Sequence, residues 1–244
     1  MADLNVVGTG SPDYATTYDP DLDFDAWYTR ATAAIIGPQA RAGQRILELG
    51  CATGLMTSLL APSGATILGV ERSEEYLARA RARKLDRVTY VQSELEVFAP
   101  SGTFDHVLAT NLLHEFDDPS WLLRRIHAWL APGGLLHATL PNPDSIHRLA
   151  ALADGLIEDP LGLSDRAVFY GTRRVWAADS FRALAETCGF EVVSKGGVTL
   201  KPYTNATMAR LPGAVLDGLV QAAEFLPDYA AMHYTAFGRA GDRA

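Results

Sequence analysis

Between residues 44 and 140, short, largely apolar runs alternate with longer stretches in which apolar positions recur every three or four residues. The short runs are 45–49 (RILEL), 66–70 (TILGV), 88–92 (VTYVQ), 104–110 (FDHVLAT) and 135–140 (LLHATL). Continuous apolar content of this kind predicts strands covered on both faces, not the half-wet strands of a hairpin. The stretches between them, 55–60, 74–84 and 119–130, predict helices. Asp118 followed by Pro119 is a start signal, since a carboxylate can cap and a proline lacks the N–H that a first turn leaves unpaired. Pro132-Gly133-Gly134 stops the same helix. Strands alternating with helices imply βαβ units, and so an α/β, doubly wound, mainly parallel Rossmann-like sheet.

The flanks follow a different rhythm. Residues 1–20 are polar, and 21–37 predicts a helix carrying Phe24, Trp27 and Tyr28; together, 1–37 is expected to form an N-terminal helical lid. Residues 141–176 are too long for an ordinary connection and predict a lid or an insertion on the substrate side. A helix at 179–188 ended by Gly189, a strand at 191–195, a helix at 213–225 and a strand at 231–238 complete seven strands. With 244 residues the whole chain, 1–244, reads as one domain that buries roughly 70% of its surface.

Charge and cysteine content narrow the classes. A net charge of −8 disfavours a nucleic-acid partner, which needs clustered Lys and Arg. Cys51 and Cys188 form no CxxC pair, so no disulfide framework or cysteine-based metal site is expected. No leader pattern opens the chain, and no apolar run reaches the ~20 residues that span a bilayer. A cytoplasmic protein with no membrane partner is the expectation; a homodimer is left open.

The segment ILELGCATGL carries most of the functional information. A strand ends at Glu48-Leu49, a small-residue turn follows, and a helix begins near Leu55. Such a turn lets backbone amides approach a ligand at a helix N-terminus. A dinucleotide fingerprint would need glycines at 50, 52 and 55, where this chain has Gly50, Ala52 and Leu55. The spacing that fits is acid-x-Gly-x-Ala-x-Gly, at Glu48, Gly50, Ala52 and Gly54.

In this turn, and in the segments SELEVF, FDHVLATNLLHEFDDP and LAPGGLLHATLPN, the chain resembles class I S-adenosylmethionine (SAM)-dependent methyltransferases of the small-molecule type over roughly residues 14–140. The resemblance implies SAM as cofactor, S-adenosylhomocysteine as product and no metal. It implies that Glu48, Gly50, Cys51, Ala52 and Gly54 wrap the methionine part, with Cys51 a small filler. Tyr14 and Tyr18 would fold over that part. Glu71, with Arg72 beside it, would hold the ribose. Glu94 and Leu95 would flank the adenine, and Asn111 would complete the cofactor site.

For the acceptor, the best-placed titratable side chain is His114 in NLLHEF, as a base or as a positioning group. Arg166, Arg173 and Arg174 are candidate contacts to an anionic group on a substrate, and Trp27 is either a substrate contact or helix packing. GTRRVWAADSF resembles a GH-x-R-x-Y/W segment of many small-molecule methyltransferases, with Thr172 in place of the His. His106 and His137 lie within strands and are expected in the core with satisfied hydrogen bonds. The expected activity is methyl transfer from SAM to an oxygen or nitrogen of a polar small molecule, plausibly in secondary metabolism. The alternatives are a SAM-binding protein without methyl transfer and a NAD-dependent oxidoreductase. SAM and S-adenosylhomocysteine should each raise the melting temperature, by an amount set by their concentration relative to Kd, and NAD should leave it unchanged.

Overall fold

The computed structural model describes residues 18–242. Its strands are β1 (Arg45–Leu49), β2 (Thr66–Glu71), β3 (Val88–Gln92), β4 (Phe104–Thr110), β5 (Leu130–Pro141), β6 (Phe190–Gly197) and β7 (Met232–Arg239). They form one mixed sheet in the order β3-β2-β1-β4-β5-β7-β6. The β1/β2, β1/β4, β2/β3 and β4/β5 pairings are parallel, and β7 runs antiparallel to both β5 and β6. Five parallel strands therefore deliver their carboxyl ends to one edge, where ligands of open α/β sheets bind.

Helices cover both faces because successive strand residues point opposite ways. On one face Leu47, Val107 and Phe237 pack with side chains of α4 (Ser120–Trp129) and α7 (Ala178–Thr187), among them Leu122, Ile126 and Phe181. On the other, Ile46, Leu108 and Ala236 meet Ile36 of α1 (Asp25–Ile36), Met56 of α2 (Leu55–Leu60) and Leu216 of α9 (Gly213–Ala222). Helix α3 (Glu74–Ala82) follows β2, with the Ser73 side chain as its cap. Between β5 and β6 lie α5 (Ile146–Ala153) and α6 (Asp165–Phe169), and α8 (Asn205–Met208) follows β6.

Several expected boundaries move, each for a physical reason. β3 has no buried residue, because it is an edge strand rather than one covered on both faces. The first helix starts at Asp25, not 21, since Asp19 and Asp23 side chains accept the amides of Asp21 and Asp25 in turns ahead of it. Pro119 sits one residue before α4, and Asp118 accepts both the amide and the hydroxyl of Ser120. Pro132-Gly133-Gly134 lies within β5 as a bulge: Phe104 pairs with Leu130, and His106 already pairs with Leu135.

A buried polar chain crosses the α1 face of the sheet. His106 Nδ1 lies 3.0 Å from His137 Nε2, and His137 Nδ1 lies 2.8 Å from the Tyr234 hydroxyl. Gln44 Oε1 closes one end at 3.3 Å from His106 Nε2. Both histidines are in the core with partners, as expected for buried polar groups. Burial, reinforced by His106, holds the His137 ring down to about pKa 3. The unfolded ring titrates near pKa ~6.5. The unfolded chain therefore binds the extra proton below that value, and stability must fall as pH drops from 6.5 toward 3. Urea unfolding at stepwise lower pH should show His137 contributing up to about 1.4 kcal/mol per pH unit in that window. His137→Gln should flatten that part of the slope.

Candidate active site

The turn leaving β1 is held across the sheet by β2. The amides of Gly50 and Cys51 both donate to the Val70 carbonyl, at 2.8 and 3.0 Å, and Gly54 N–H donates back to Cys51 O at 2.8 Å. This tight path puts Gly50, Ala52 and Gly54 at φ of 68°, 44° and 73°. Gly54 has a second constraint: a Cβ there would lie 2.7 Å from the Tyr90 hydroxyl and 3.1 Å from Ala80 Cβ. Below the turn, Glu48 is fully buried at the end of β1 and accepts from Thr57 Oγ1 at 2.5 Å. Burial raises its pKa to about 8, opposed by the Thr57 hydrogen bond and aided by Glu71. Cys51 is buried, and its thiol is pushed up by burial and by Glu48 and Glu71, which makes it an inert filler.

Glu71 ends β2 facing the same turn. Its Oε2 accepts Ala52 N–H at 3.0 Å, and Oε1 accepts Arg72 and Ser73 N–H at 2.8 and 2.9 Å. A carboxylate offers about four lone-pair positions, so acceptor capacity remains on Oε2. On the neighbouring side, the loop of Glu94 and Leu95 is anchored from α4, where the Arg125 guanidinium donates to the carbonyls of Leu95, Glu96 and Phe98.

Past β4, Asn111 takes φ 55°, a conformation asparagine tolerates better than most residues. Its amide donates to Thr139 O and Oγ1, and its Oδ1 accepts from Thr139 Oγ1 at 3.1 Å. That reversal carries the chain into a 3-10 turn at Leu113–Glu115. His114 is buried there, with Nδ1 lacking a hydrogen-bond partner among the described residues. Burial lowers its pKa to about 4. Its carbonyl accepts the amides of Arg173 and Arg174, so the end of the 141–176 insertion is docked onto this loop. The next residue, Glu115, is raised to about 7 by burial, with Arg72 opposing and Glu71 adding.

These groups share one cavity of about 1090 Å³ along the carboxyl edge of the sheet. That exceeds the roughly 300–1,000 Å³ of a typical small-molecule site, leaving room for two ligands side by side. Tyr18, Glu48, Gly50, Cys51, Ala52, Glu71, Arg72, Glu94, Leu95, Asn111, His114, Arg166 and Arg173 all line it. Gly54 lies just behind as the cap residue of α2. Tyr14 lies outside the described residues.

Other expectations are corrected. Trp27 packs onto the core beneath α1 and does not line the cavity, whereas Tyr28, one residue on, does. Arg174 stacks its guanidinium 3.8 Å over the Trp176 ring, away from this cavity. Arg166 reaches the cavity with its charge already paired to Asp23 and Asp25, at 3.0 and 2.9 Å. Thr172 is buried and lines the cavity where the resembling segment has a His.

Sequence reading missed several lining residues. Glu115 stood beside His114 in NLLHEF and could have been found as a second titratable group. Asp25, Arg148, Lys201 and Asn205 come from α1, α5 and the stretch after β6, with no local motif to mark them. Among the described residues, no cluster of three or more His, Cys, Asp or Glu side chains is arranged to hold a metal ion, and no helix is long and apolar enough to cross a membrane.

Comparison with known proteins agrees with this geometry. A family model described as a methyltransferase domain matches residues 24–195. The chain is 30% identical to trans-aconitate 2-methyltransferase of Deinococcus radiodurans over 205 residues, 76% of each protein. It is 31% identical to a ubiquinone biosynthesis O-methyltransferase of Dinoroseobacter shibae over 190 residues, 73% of this chain and 74% of that one. Among solved structures, magnesium protoporphyrin IX methyltransferase from Synechocystis with bound S-adenosylhomocysteine shares the fold at a TM-score of 0.61 and 14% identity, covering 96% of this chain and 90% of that one.

The turn itself supplies a test. Gly54→Ala places a side chain in the left-handed region against Tyr90 and should cost about 1–3 kcal/mol of stability. Denaturant unfolding measures that loss, and S-adenosylhomocysteine affinity should fall with it.

Proposed function

Because this chain belongs to the class I SAM-dependent methyltransferases, we propose that it methylates an oxygen or nitrogen of a small polar molecule, with His114 receiving the acceptor's proton. SAM is the cofactor of the family and supplies a methyl group on a positively charged sulfonium, which becomes a neutral thioether on transfer. The residues present fit that group. The Gly50–Gly54 path gives the backbone close approach at a cavity wall, and Glu71 keeps acceptor capacity on Oε2 for a ribose hydroxyl. Glu94 and Leu95 stand where the adenine would lie, and Asn111 and Arg72 complete the wall. Names of the relatives, one of them an O-methyltransferase, favour oxygen over nitrogen.

The observation that carries the proposal is the buried His114 ring in the cavity lining, whose Nδ1 has no hydrogen-bond partner among the described residues. The ring stays neutral through the ordinary pH range and is therefore in its proton-accepting form. Burial makes an isolated imidazolium costly. The charge balance offsets that cost: as the methyl reaches the acceptor oxygen, its hydroxyl proton moves to the His114 ring, and the cavity keeps the same net charge. The Arg173 and Arg174 amides fix the backbone of His114, so the ring is held by a docked strap rather than by a loop free to drift.

A cover over the acceptor belongs to the same reading. Tyr18 donates to Asp25 Oδ2 at 3.0 Å and packs its ring 4.8 Å from Tyr170, while Arg166 ties α6 to Asp23 and Asp25. Asp21 also accepts from Thr53 Oγ1 and pairs with Arg83, which in turn donates to Thr53 O. The segment before α1 is thereby bound to both the cofactor turn and the insertion, as a lid that excludes water would be.

With a hydroxyl acceptor, His114→Ala should lower kcat by roughly 10²–10⁴ with S-adenosylhomocysteine affinity nearly unchanged. The acid limb of kcat/KM contributed by this ring should fall near its value of about 4 and not near ~6.5. Wild-type kcat and KM in the variant would remove His114 from the mechanism.

A further inference from the structure

At the end of the cavity away from Glu71, basic side chains gather, with Asp159 facing Arg148 and Asp25 and Asp23 facing Lys201, none of them in an ion pair with these two cations among the described residues. His147 and Arg148 enter from the first turn of α5, and Lys201 from the stretch after β6. The sheet order sets this end apart. Pro141, which finishes β5 just before α5, is three inter-strand spacings from the end of β2, about 14 Å. The His114 loop follows β4, which lies between them.

The nearby acids are already engaged. Asp23 and Asp25 share Arg166, and Asp25 also accepts from Tyr18 and from Asn205 Nδ2 at 3.0 Å. Arg148 directs its guanidinium to the Pro160 and Gly162 carbonyls, at 2.8 and 2.6 Å, which fixes it without neutralising its charge. The Lys201 backbone hydrogen-bonds the His147 ring, but its ammonium makes no ion pair with another described residue, and burial draws it below the ordinary lysine range, with Asp25 opposing. His147 has a buried Nδ1 with no partner. Burial and the charges of Lys201 and Arg148 lower its ring to about 3, so it is a neutral hydrogen-bonding group between two cations.

A largely buried ammonium with no ion pair among the described residues is a costly arrangement that a bound anion relieves. We propose that Lys201, with Arg148, forms a subsite for a carboxylate of the methyl acceptor, remote from the atom that is methylated. This rests on the reading of the cavity as a SAM and acceptor site. It assigns the anion to this pole, in place of Arg166 and Arg174, whose guanidinium groups are paired or stacked elsewhere.

Binding to the protein saturated with S-adenosylhomocysteine tests it. The probes are 4-hydroxybenzoate and succinate, with 4-hydroxybenzamide and succinamide as neutral counterparts, read by calorimetry. The acids should bind more tightly than the amides. Lys201→Gln should weaken the acids by at least about tenfold, the low end for a lost charge-assisted hydrogen bond. Lys201→Arg should restore part of the loss, and S-adenosylhomocysteine affinity should match the wild type in both variants. Acids that bind no better than amides, or a Lys201→Gln protein that holds them as well as wild type, would overturn the subsite. Failure of S-adenosylhomocysteine itself to bind would instead strike the reading beneath it.

Discussion

Two amides donating to one carbonyl, Gly50 and Cys51 to Val70, fix where everything else in the site must stand. They stitch the exit of β1 to the end of β2, so the chain has to reverse within a few residues to enter α2. The reversal demands left-handed backbone at Gly50, Ala52 and Gly54, and Tyr90 and Ala80 leave no space for a side chain at the last of them. The same stitch brings Ala52 N–H within reach of Glu71. An acid from one strand and a turn from its neighbour thus become one wall, and the cavity extends from that wall toward β5.

How much of this could be read in advance follows from the range of each interaction. Glu48-x-Gly-x-Ala-x-Gly was legible because strand end, turn and helix start are consecutive, and the backbone imposes its requirements locally. Most of the parallel strands were legible for a similar reason, since burial on two faces leaves short runs rich in apolar residues on both sides, such as RILEL. Trp27 and Tyr28 show the limit: adjacent aromatics on one helix, of which one meets the core and the other the cavity. Only the rotation of α1 against the sheet decides between them. Arg166 and Lys201 are a second case. Sequence favoured the arginine as an anion contact, yet Asp23 and Asp25, some 140 residues earlier, already hold it, and the lysine that no motif marked is left unpaired.

Neutral histidines recur through the molecule, and they serve different ends. In the His106–His137–Tyr234 chain each ring nitrogen has a partner, and the chain joins β4, β5 and β7 beneath α1. His114 and His147 are also neutral and line the cavity, but the buried Nδ1 of each has no partner among the described residues. The difference is one of satisfaction. A buried group with all its bonds made adds specificity to the core, whereas one left short is held at a free-energy cost that a ligand can remove.

The position of β7 has a consequence for how the protein is made. Each of β2 to β5 finds a sheet neighbour among segments already synthesised, and β1 to β5 form a parallel block of their own. β6 cannot, because its pairing runs through β7 alone, some 35 residues further on. Until that strand leaves the ribosome, β5 keeps an open edge and Phe190 lacks the ring of Phe237 that it packs against in the finished core. The nascent chain therefore passes through a stage in which the cofactor turn can already be built while one sheet edge lies bare. In that interval a chaperone, or another copy of the same strand, competes with β7 for the place between them.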